Sequence, residues 1–301
     1  MLEAGVYTVA PTPFHSDGSV DLKSVEKMTE ALLSLGVDGL LVLGVMGEAN
    51  KLLDEERQQV LTRFVSAAAG AGKVIVGTNH PGAIPCRELT RVAEESGADA
   101  VMISPPTLAK PNPQAILDYF ETVARGSEIE IVLQDHPTSS GVIMSVELID
   151  ELHQTVDQMT SLKLEDPPTA QKMSSVLATS DSLKVFGGLG GLSFIDELDR
   201  GASGTMTGFA YPEILKRIHD LHRGGEVGEA RQLFDSFLPL ILFESQPLIS
   251  LSVRKHLYQS RGFIDNASVR APAPTVDAGT MSELERLMGA VDLTLASSSL
   301  A

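Results

Sequence analysis

One pattern recurs along most of the chain: a short apolar or β-branched segment followed by an amphipathic helix. The apolar run Gly39–Leu43, for example, precedes a helix that opens at Asp54, and Lys73–Gly77 precedes a helix that opens at Pro85. Strands that alternate with helices form a parallel sheet with right-handed crossovers. Eight even repeats predict an α/β chain folded as a closed (β/α)8 TIM barrel with additional C-terminal helices. A doubly wound open sheet is the alternative.

The repeats predict a single compact unit with helices added at its end. Residues 1–210 contain the eight repeats without a linker, and we assign them to the barrel. Residues 211–295 read as helices packed on the barrel, with the rigid connector Ala271–Pro274 between them. Residues 296–301 are small and polar, and we expect them to be disordered.

Charge and cysteine content narrow the class of partner and the compartment. Among 301 residues, 40 acidic against 23 basic side chains give a net charge of −17, which argues against nucleic acid or an anionic membrane as a partner. The one cysteine, Cys86, excludes an intrachain disulfide and fits a reducing compartment. The sequence shows neither a signal peptide nor the run of about 20 apolar residues that a membrane span needs. We therefore expect a cytoplasmic protein.

The segment Ser161–Glu165 carries the strongest chemical signal. Leucines alternate with Ser161, Lys163 and Glu165, so the polar side chains share one strand face and would look into a closed barrel. Lys163 falls near the carboxyl end of its strand, where barrel enzymes place their active sites. Removal from water favours the neutral amine, which is a nucleophile toward carbonyl carbon. A structural ion pair with Glu165 is the alternative.

Other polar residues and glycine-rich turns follow the predicted strands. They are Thr12, His15, Gly44–Glu48, Thr78–His80, Ser104, Gln134–His136, Gly187–Gly191 and Thr207–Gly208. The histidines lack carboxylates at metal-ligand spacing, and we predict no metal and no cofactor. Glycine turns after the last two strands can cradle phosphate. Because these turns contain no basic residue, we favour their interpretation as tight turns.

These residues, in this order, resemble the dihydrodipicolinate synthase/N-acetylneuraminate lyase family of Schiff-base aldolases. The matching segments are Thr12–Phe14, Gly44–Glu48, Pro137 with Gly141, the Lys163 strand and Gly201–Gly204. The resemblance implies a homo-oligomer, dimer or tetramer, in which Lys163 condenses with the carbonyl of a 2-oxo acid such as pyruvate. The iminium that forms is an electron sink, so the chemistry needs no metal.

The resemblance also suggests which residues bind the substrate. It implies that the Gly44–Glu48 loop holds the substrate carboxylate, which makes Val45, Met46 and Gly47 substrate-binding candidates. We expect Gly188 and Met206, at the ends of two later strands, to line the same site. Val45, Met46, Leu108 and Met206 further predict a pocket with apolar walls.

Several positions depart from the family pattern. Val45 and Met46 stand where the family carries two hydroxyl residues, which leaves only backbone N–H groups for the carboxylate. Gln134 stands at the position of the family tyrosine, which makes it a catalytic candidate with Lys163 and His136, although an amide is neither acid nor base near neutral pH. His136, two residues on, is the predicted replacement for proton transfer, with His80, Tyr211 or a water as alternatives. The family arginine falls at Ser139.

The sequence thus predicts a lyase or aldolase that forms a Schiff base between Lys163 and a 2-oxo acid. Formation or cleavage of a carbon–carbon bond, or dehydration, would follow. The departures argue against 4-hydroxy-tetrahydrodipicolinate synthase activity. The alternative function is a catalytically impaired barrel that binds a 2-oxo acid or phosphate as a binding or regulatory protein.

Overall fold

The computed structural model describes residues 1–294, and within them eight parallel strands close into a barrel. Each strand is hydrogen-bonded to the next, and the last one pairs with the first, which confirms the barrel over the open sheet. The strands are β1 (Gly5–Val9), β2 (Gly39–Val42), β3 (Lys73–Gly77), β4 (Ala100–Ile103), β5 (Glu130–Asp135), β6 (Met159–Leu164), β7 (Lys184–Gly187) and β8 (Gly204–Thr207). The tail predicted to be disordered, 296–301, lies outside the described residues.

Helices follow the strands and continue past β8. They are α1 (Leu22–Ser34), α2 (Asp54–Ala68), α3 (Ala83–Glu95), α4 (Pro113–Ala124), the short α5 (Pro137–Ser140), α6 (Val146–Thr155), α7 (Thr169–Leu177), α8 (Phe194–Asp199), α9 (Pro212–Arg223), α10 (Val227–Glu244), α11 (Ser250–Ser260) and α12 (Ala278–Ala290). Among residues 1–294, no helix combines the length and apolar character needed to cross a membrane.

Two apolar layers hold the barrel together. The larger layer lies between strands and helices and includes Leu162 and Leu164 of β6. A second cluster fills the barrel interior, where the rings of Tyr7 and Phe186 meet edge to face at 5.6 Å. The alternation predicted for β6 therefore separates its leucines from Lys163, which faces the interior. Because side chains fill the barrel centre, chemistry is confined to the mouth at the carboxyl ends of the strands.

The C-terminal helices are attached to the mouth by buried ion pairs. Arg254 of α11 pairs with Glu244 of α10 and donates from Nη2 to the Gly208 carbonyl at 2.7 Å, just beyond β8. Lys255, the next residue, pairs with Glu48 beyond β2 at 2.6 Å. These contacts join α11 to two loops that border the mouth. The division of the chain at residue 210 stays a prediction.

Candidate active site

Lys163 lies in β6 between Gln134 of β5 and Phe186 of β7, its register partners. Only 5% of the lysine is exposed, and its Nζ atom lies 3.4 Å from Glu165 Oε2. The amine comes from β6 and the carboxylate from the residue that directly follows it. The two residues are two positions apart, and the period of the strand places both on the inner face. The predicted contact between Lys163 and Glu165 is therefore present, at the mouth of the barrel.

Glu165 is held as an anion. Burial raises the pKa of its carboxyl group, but the positive charges of Lys163 and His136 and two hydrogen bonds outweigh that effect and lower the pKa below its usual value. The bonds come from Gln134 Nε2 at 2.7 Å and from the Leu189 N–H at 3.3 Å. Glu165 was expected only as a structural partner of Lys163. The structure makes it the base that lies nearest the amine, and its i, i+2 spacing was the signal for this.

Gly188 makes room for that carboxylate. A Cβ atom at residue 188 would lie 2.4 Å from Glu165 Cγ, and one at Gly187 would lie 1.8 Å from Oε2 of Glu197. Both distances are shorter than van der Waals contact, so the two glycines let carboxyl groups pack against the β7 turn from two sides. Gly188 thus shapes the site by touching Glu165.

In the turn after β7, protein groups already occupy the backbone donor and the space that a phosphate would need. The Leu189 N–H is used by Glu165, and a Cβ at Gly190 would meet Ser245 Oγ at 2.1 Å. Arg254 does bring a basic group to Gly208, but its hydrogen bonds go to Glu244 and to the Gly208 carbonyl. These contacts favour the tight-turn interpretation over a phosphate cradle.

The loop after β2 presents two unused backbone donors. Thr12 Oγ1 donates to the Gly47 carbonyl at 2.6 Å, and the Gly47 N–H bonds back to the Gly44 carbonyl at 3.0 Å. The Gly47 donor is therefore used inside the loop. The N–H groups of Val45 and Met46 have no acceptor in the described part of the chain, so the role predicted for them in binding a carboxylate stays a prediction.

The buried acid Glu48 holds the loop after β2 in place. Glu48 is fully buried and accepts hydrogen bonds from Lys255 at 2.6 Å, Lys51 at 2.8 Å and the Arg270 N–H at 3.0 Å. Burial lowers the pKa of the Lys255 amine to about 8, against the opposing charge of Glu48. Sequence reasoning missed Lys255 and Arg270 because they lie 207 and 222 residues away along the chain and no local pattern marks them.

The structure gives the positions of His136 and Met206, whose surroundings could not be predicted from the sequence. His136 precedes the short helix α5, where its Nδ1 atom contacts Ser139 Oγ at 2.8 Å. Met206 is fully buried in the barrel interior, and Met46 packs against the same cluster. His136 lies close enough to Glu165 to influence its pKa, and its ring and carbonyl oxygen form hydrogen bonds with Ser139 and Ser140. Met206 belongs to the packed barrel interior.

A cavity of about 290 Å³ opens beside the site on the β3 to β5 side. Its walls are Val45, Asn79, His80, Pro81, Ser104, Pro105, Pro106, Thr107, Ser139 and Ser140. Of the four residues predicted to form apolar walls, only Val45 lines this cavity. Ser104 connects it to the lysine, because Ser104 Oγ bonds to Gln134 Oε1 at 2.9 Å and Gln134 in turn bonds to Glu165.

No three histidine, cysteine or acidic side chains come together as a metal site within residues 1–294. The site instead combines one buried amine, one ionised carboxylate, two free backbone donors and an adjoining cavity. These features define a (β/α)8-barrel enzyme whose reactive groups lie at the carboxyl ends of the strands.

The comparisons with known proteins name the family. A model of the dihydrodipicolinate synthetase family matches residues 3–291, so the chain belongs to that family. The chain is 29% identical over 286 residues to the L-2-keto-3-deoxyarabonate dehydratase of Azospirillum brasilense, covering 93% of this chain and 92% of the relative. It is 30% identical over 272 residues to 4-hydroxy-tetrahydrodipicolinate synthase 2 of Halalkalibacterium halodurans, covering 89% and 91%.

A solved structure agrees over nearly the whole chain. The dihydrodipicolinate synthase of Rhodopseudomonas palustris superposes with a TM-score of 0.91 at 34% identity, covering 95% of this chain and 97% of that one. The family resemblance and the fold predicted from sequence are thereby confirmed. The protein is a lyase or aldolase of this family.

Proposed function

We propose that this protein is a Schiff-base dehydratase of 2-oxo acids in which Lys163 is the nucleophile and Glu165 moves the protons. The proposal rests on the buried Lys163 amine and the ionised Glu165 carboxylate, which lie 3.4 Å apart at the barrel mouth. The free N–H groups of Val45 and Met46 are the proposed carboxylate site. Gln134, which holds Glu165 in place, is a positioning residue in this scheme.

In the first half of the reaction, Lys163 gives a proton to Glu165, 3.4 Å away, and the neutral Nζ attacks the C2 carbonyl. The carbonyl oxygen takes one proton from Nζ and the proton from Glu165 and leaves as water, so the iminium forms and Glu165 is again a carboxylate. The iminium makes the C3 hydrogens acidic, and Glu165 removes one of them to give an enamine. Because C3 is bonded to the carbon that carries the imine, a carboxylate close to Nζ is also close to C3. Glu165 therefore takes the place left open by the missing family tyrosine.

In the second half, the enamine electrons expel the C4 hydroxyl group, which leaves as water with the proton held by Glu165. Hydrolysis of the resulting unsaturated iminium uses one water, releases the product and restores the Lys163 amine. The net change is the loss of one water from the substrate, as in the reaction that the name of the Azospirillum relative describes.

Condensation of pyruvate with an aldehyde is the second candidate, because it uses the same enamine and several relatives are named 4-hydroxy-tetrahydrodipicolinate synthase. Gln134 and Ser139 stand at the positions of the family tyrosine and arginine, and this difference argues against condensation. The proposal also includes a cytoplasmic location and a homo-oligomer, dimer or tetramer. Sedimentation of the purified protein measures the oligomeric state.

Reduction with borohydride in the presence of pyruvate tests the first step. Peptide mapping should find the reduced adduct on Lys163, and the Lys163→Met variant should give none. Turnover is then compared for L-2-keto-3-deoxyarabonate alone and for pyruvate with aspartate semialdehyde. Absence of an adduct would contradict the proposed Schiff base. Turnover of pyruvate with the aldehyde alone would show that the reaction is condensation and not dehydration.

A further inference from the structure

Lys172 of α7 forms hydrogen bonds with three separate segments of the chain. Its Nζ atom donates to Asp135 Oδ2 at 2.6 Å, to the Met144 carbonyl at 2.7 Å and to Asp166 Oδ2 at 2.9 Å. An ammonium group has three donors, so all of them are used. One amine therefore joins the end of β5, the segment between α5 and α6 and the turn after β6.

Two of these segments carry groups of the proposed mechanism. Asp135 directly follows Gln134, and Asp166 directly follows Glu165. The Glu165 N–H also donates to the Asp135 carbonyl at 2.8 Å. Because side chains alternate along a strand, Asp135 lies on the outer face of β5 while Gln134 lies on the inner face. Lys172 thus links the two strand ends from outside the barrel, and the bond from Gln134 to Glu165 links them from inside.

Burial makes the contact between Lys172 and Asp135 a costly source of stability. Asp135 is fully buried, and within residues 1–294 its Oδ1 atom has no hydrogen-bond partner. Burial raises the pKa of the Asp135 carboxyl group to about 6, although the charge of Lys172 opposes this effect. A buried ion pair often stabilises a fold no more than packed apolar side chains of similar volume. What three hydrogen bonds from one amine do supply is a fixed separation between the ends of β5 and β6.

That separation matters more for Glu165 than for Lys163. Lys163 lies within the sheet, where β6 is paired with β5 on one side and with β7 on the other. Glu165 follows the last residue of β6, and its carboxylate depends on Gln134 from the neighbouring strand end. A change in the spacing of the two strand ends would therefore move the carboxylate and leave the amine in place.

We propose that Lys172 is a positioning residue for proton transfer, which holds the ends of β5 and β6 so that Glu165 stays within reach of C3 of the bound 2-oxo acid. The inference rests on the proposed function, because Glu165 must be the base. Lys172 acts through Asp135 and Asp166, from the outer side of the barrel wall. Its loss should slow the removal of a C3 proton without preventing formation of the imine.

The test measures these two steps separately with pyruvate. Exchange of the methyl hydrogens for deuterium in D2O, followed by NMR, reports proton removal at C3. The half-saturating pyruvate concentration for borohydride trapping at Lys163 reports imine formation. In Lys172→Met, exchange at saturating pyruvate should fall about 10- to 100-fold, as expected for a misplaced catalytic group, while the half-saturating concentration changes by less than about threefold.

Two further variants separate positioning from stability. Lys216→Met is the matched control, because Lys216 of α9 also lies beside two aspartates, Asp220 at 2.6 Å and Asp38 at 4.0 Å, but at the opposite end of the barrel. It should leave exchange and trapping unchanged. The double variant Asp135→Asn with Lys172→Met leaves no unpaired charge at residue 135, so it should fold and still exchange slowly.

Exchange at the wild-type rate in folded Lys172→Met, or in the double variant, would overturn the inference. Parallel losses of exchange and trapping, or a double variant that does not fold, would show that Lys172 serves only the fold and would also overturn it. A wild type that gives neither an adduct nor exchange contradicts the proposed function itself. A wild type that gives both, beside variants that behave like it, removes the inference alone.

Discussion

Glu165 is ionised and has two fixed donors, while its third neighbour is the Lys163 amine. Such a carboxylate can remove a proton from a ligand on the lysine without moving far. The Glu165→Gln variant keeps the size of the side chain and loses the base. We expect turnover to fall about 10²- to 10⁴-fold, the usual contribution of a positioned acid or base.

Steady-state kinetics measures the loss, and borohydride trapping with pyruvate should still label Lys163 in the variant. Asp150→Asn, a change at a carboxyl group on α6, is the control and should keep wild-type kinetics. Turnover of Glu165→Gln within threefold of the wild type would exclude Glu165 as the base.

Glu197 of α8 is a second buried acid beside the β7 turn, and burial raises its pKa to about 7. The folded state therefore retains a proton that the unfolded state releases near its ordinary pKa of 4.5. Stability from this group is fully present below that value and is lost as the pH rises toward about 7.

The Glu197→Gln variant resembles the protonated acid and keeps the bond from Thr169 Oγ1, which is 2.6 Å long. We expect similar stability to the wild type at pH 4.5 and, at pH 8, a gain on the order of 2–3 kcal/mol, the size that such a shift implies. Urea denaturation at the two pH values measures it. A variant less stable than the wild type at pH 8 would contradict the assignment.

At the scale of elements, the turn between β7 and α8 determines where Glu165 can lie. Gly188→Ala would place a Cβ 2.4 Å from Glu165 Cγ and displace the side chain. We expect a loss of stability of about 1–3 kcal/mol, typical of an overpacked site, and a larger fractional loss in turnover than in pyruvate trapping. Thermal unfolding and kinetics report the two effects.

Gly228→Ala is the matched control, because nothing lies within 4 Å of its added Cβ in the first turn of α10. It should leave turnover unchanged and alter stability by less than about 1 kcal/mol. Equal effects of the two substitutions would show that the Gly188 contact with Glu165 does not matter.

For the whole molecule, buried charge rather than surface charge attaches the C-terminal helices to the barrel. Lys255→Met would leave Glu48 buried with only Lys51 and the Arg270 N–H. We expect it to cost about 3 kcal/mol, the lower end for breaking a buried ion pair. Affinity for 2-oxo acids should also fall, because the Val45 and Met46 donors lie in the loop that Glu48 anchors.

Lys27→Met is its control, since it removes an exposed ion pair, Lys27 with Asp265 at 2.9 Å, that also joins the barrel to the C-terminal segment. Exposed pairs contribute about 1 kcal/mol or less. Chemical denaturation of both variants tests the contrast, and comparable losses would remove the special role of Lys255.

The fold could be predicted because its signal is local and repeated: period-2 leucines, such as Leu162 and Leu164, and helical segments at even spacing. The inward direction of Lys163 followed from the same period. The contacts of Ser104 with Gln134 and of Glu48 with Lys255 could not be predicted, because strand register and helix packing bring those residues together from distant parts of the chain. Assigning a role to Glu165 required knowledge of its hydrogen-bond partners as well as of its position next to β6.

The bond between Glu48 and Lys255 has a consequence for attempts to recombine this barrel with a relative. The donors proposed for substrate recognition belong to residues 45 and 46, whereas the cation that supports their loop is residue 255, about 200 residues later along the chain. A chimera that joined this chain's first half-barrel to another protein's C-terminal helices would inherit the loop without its support. Such hybrids should be assembled with both segments from one parent.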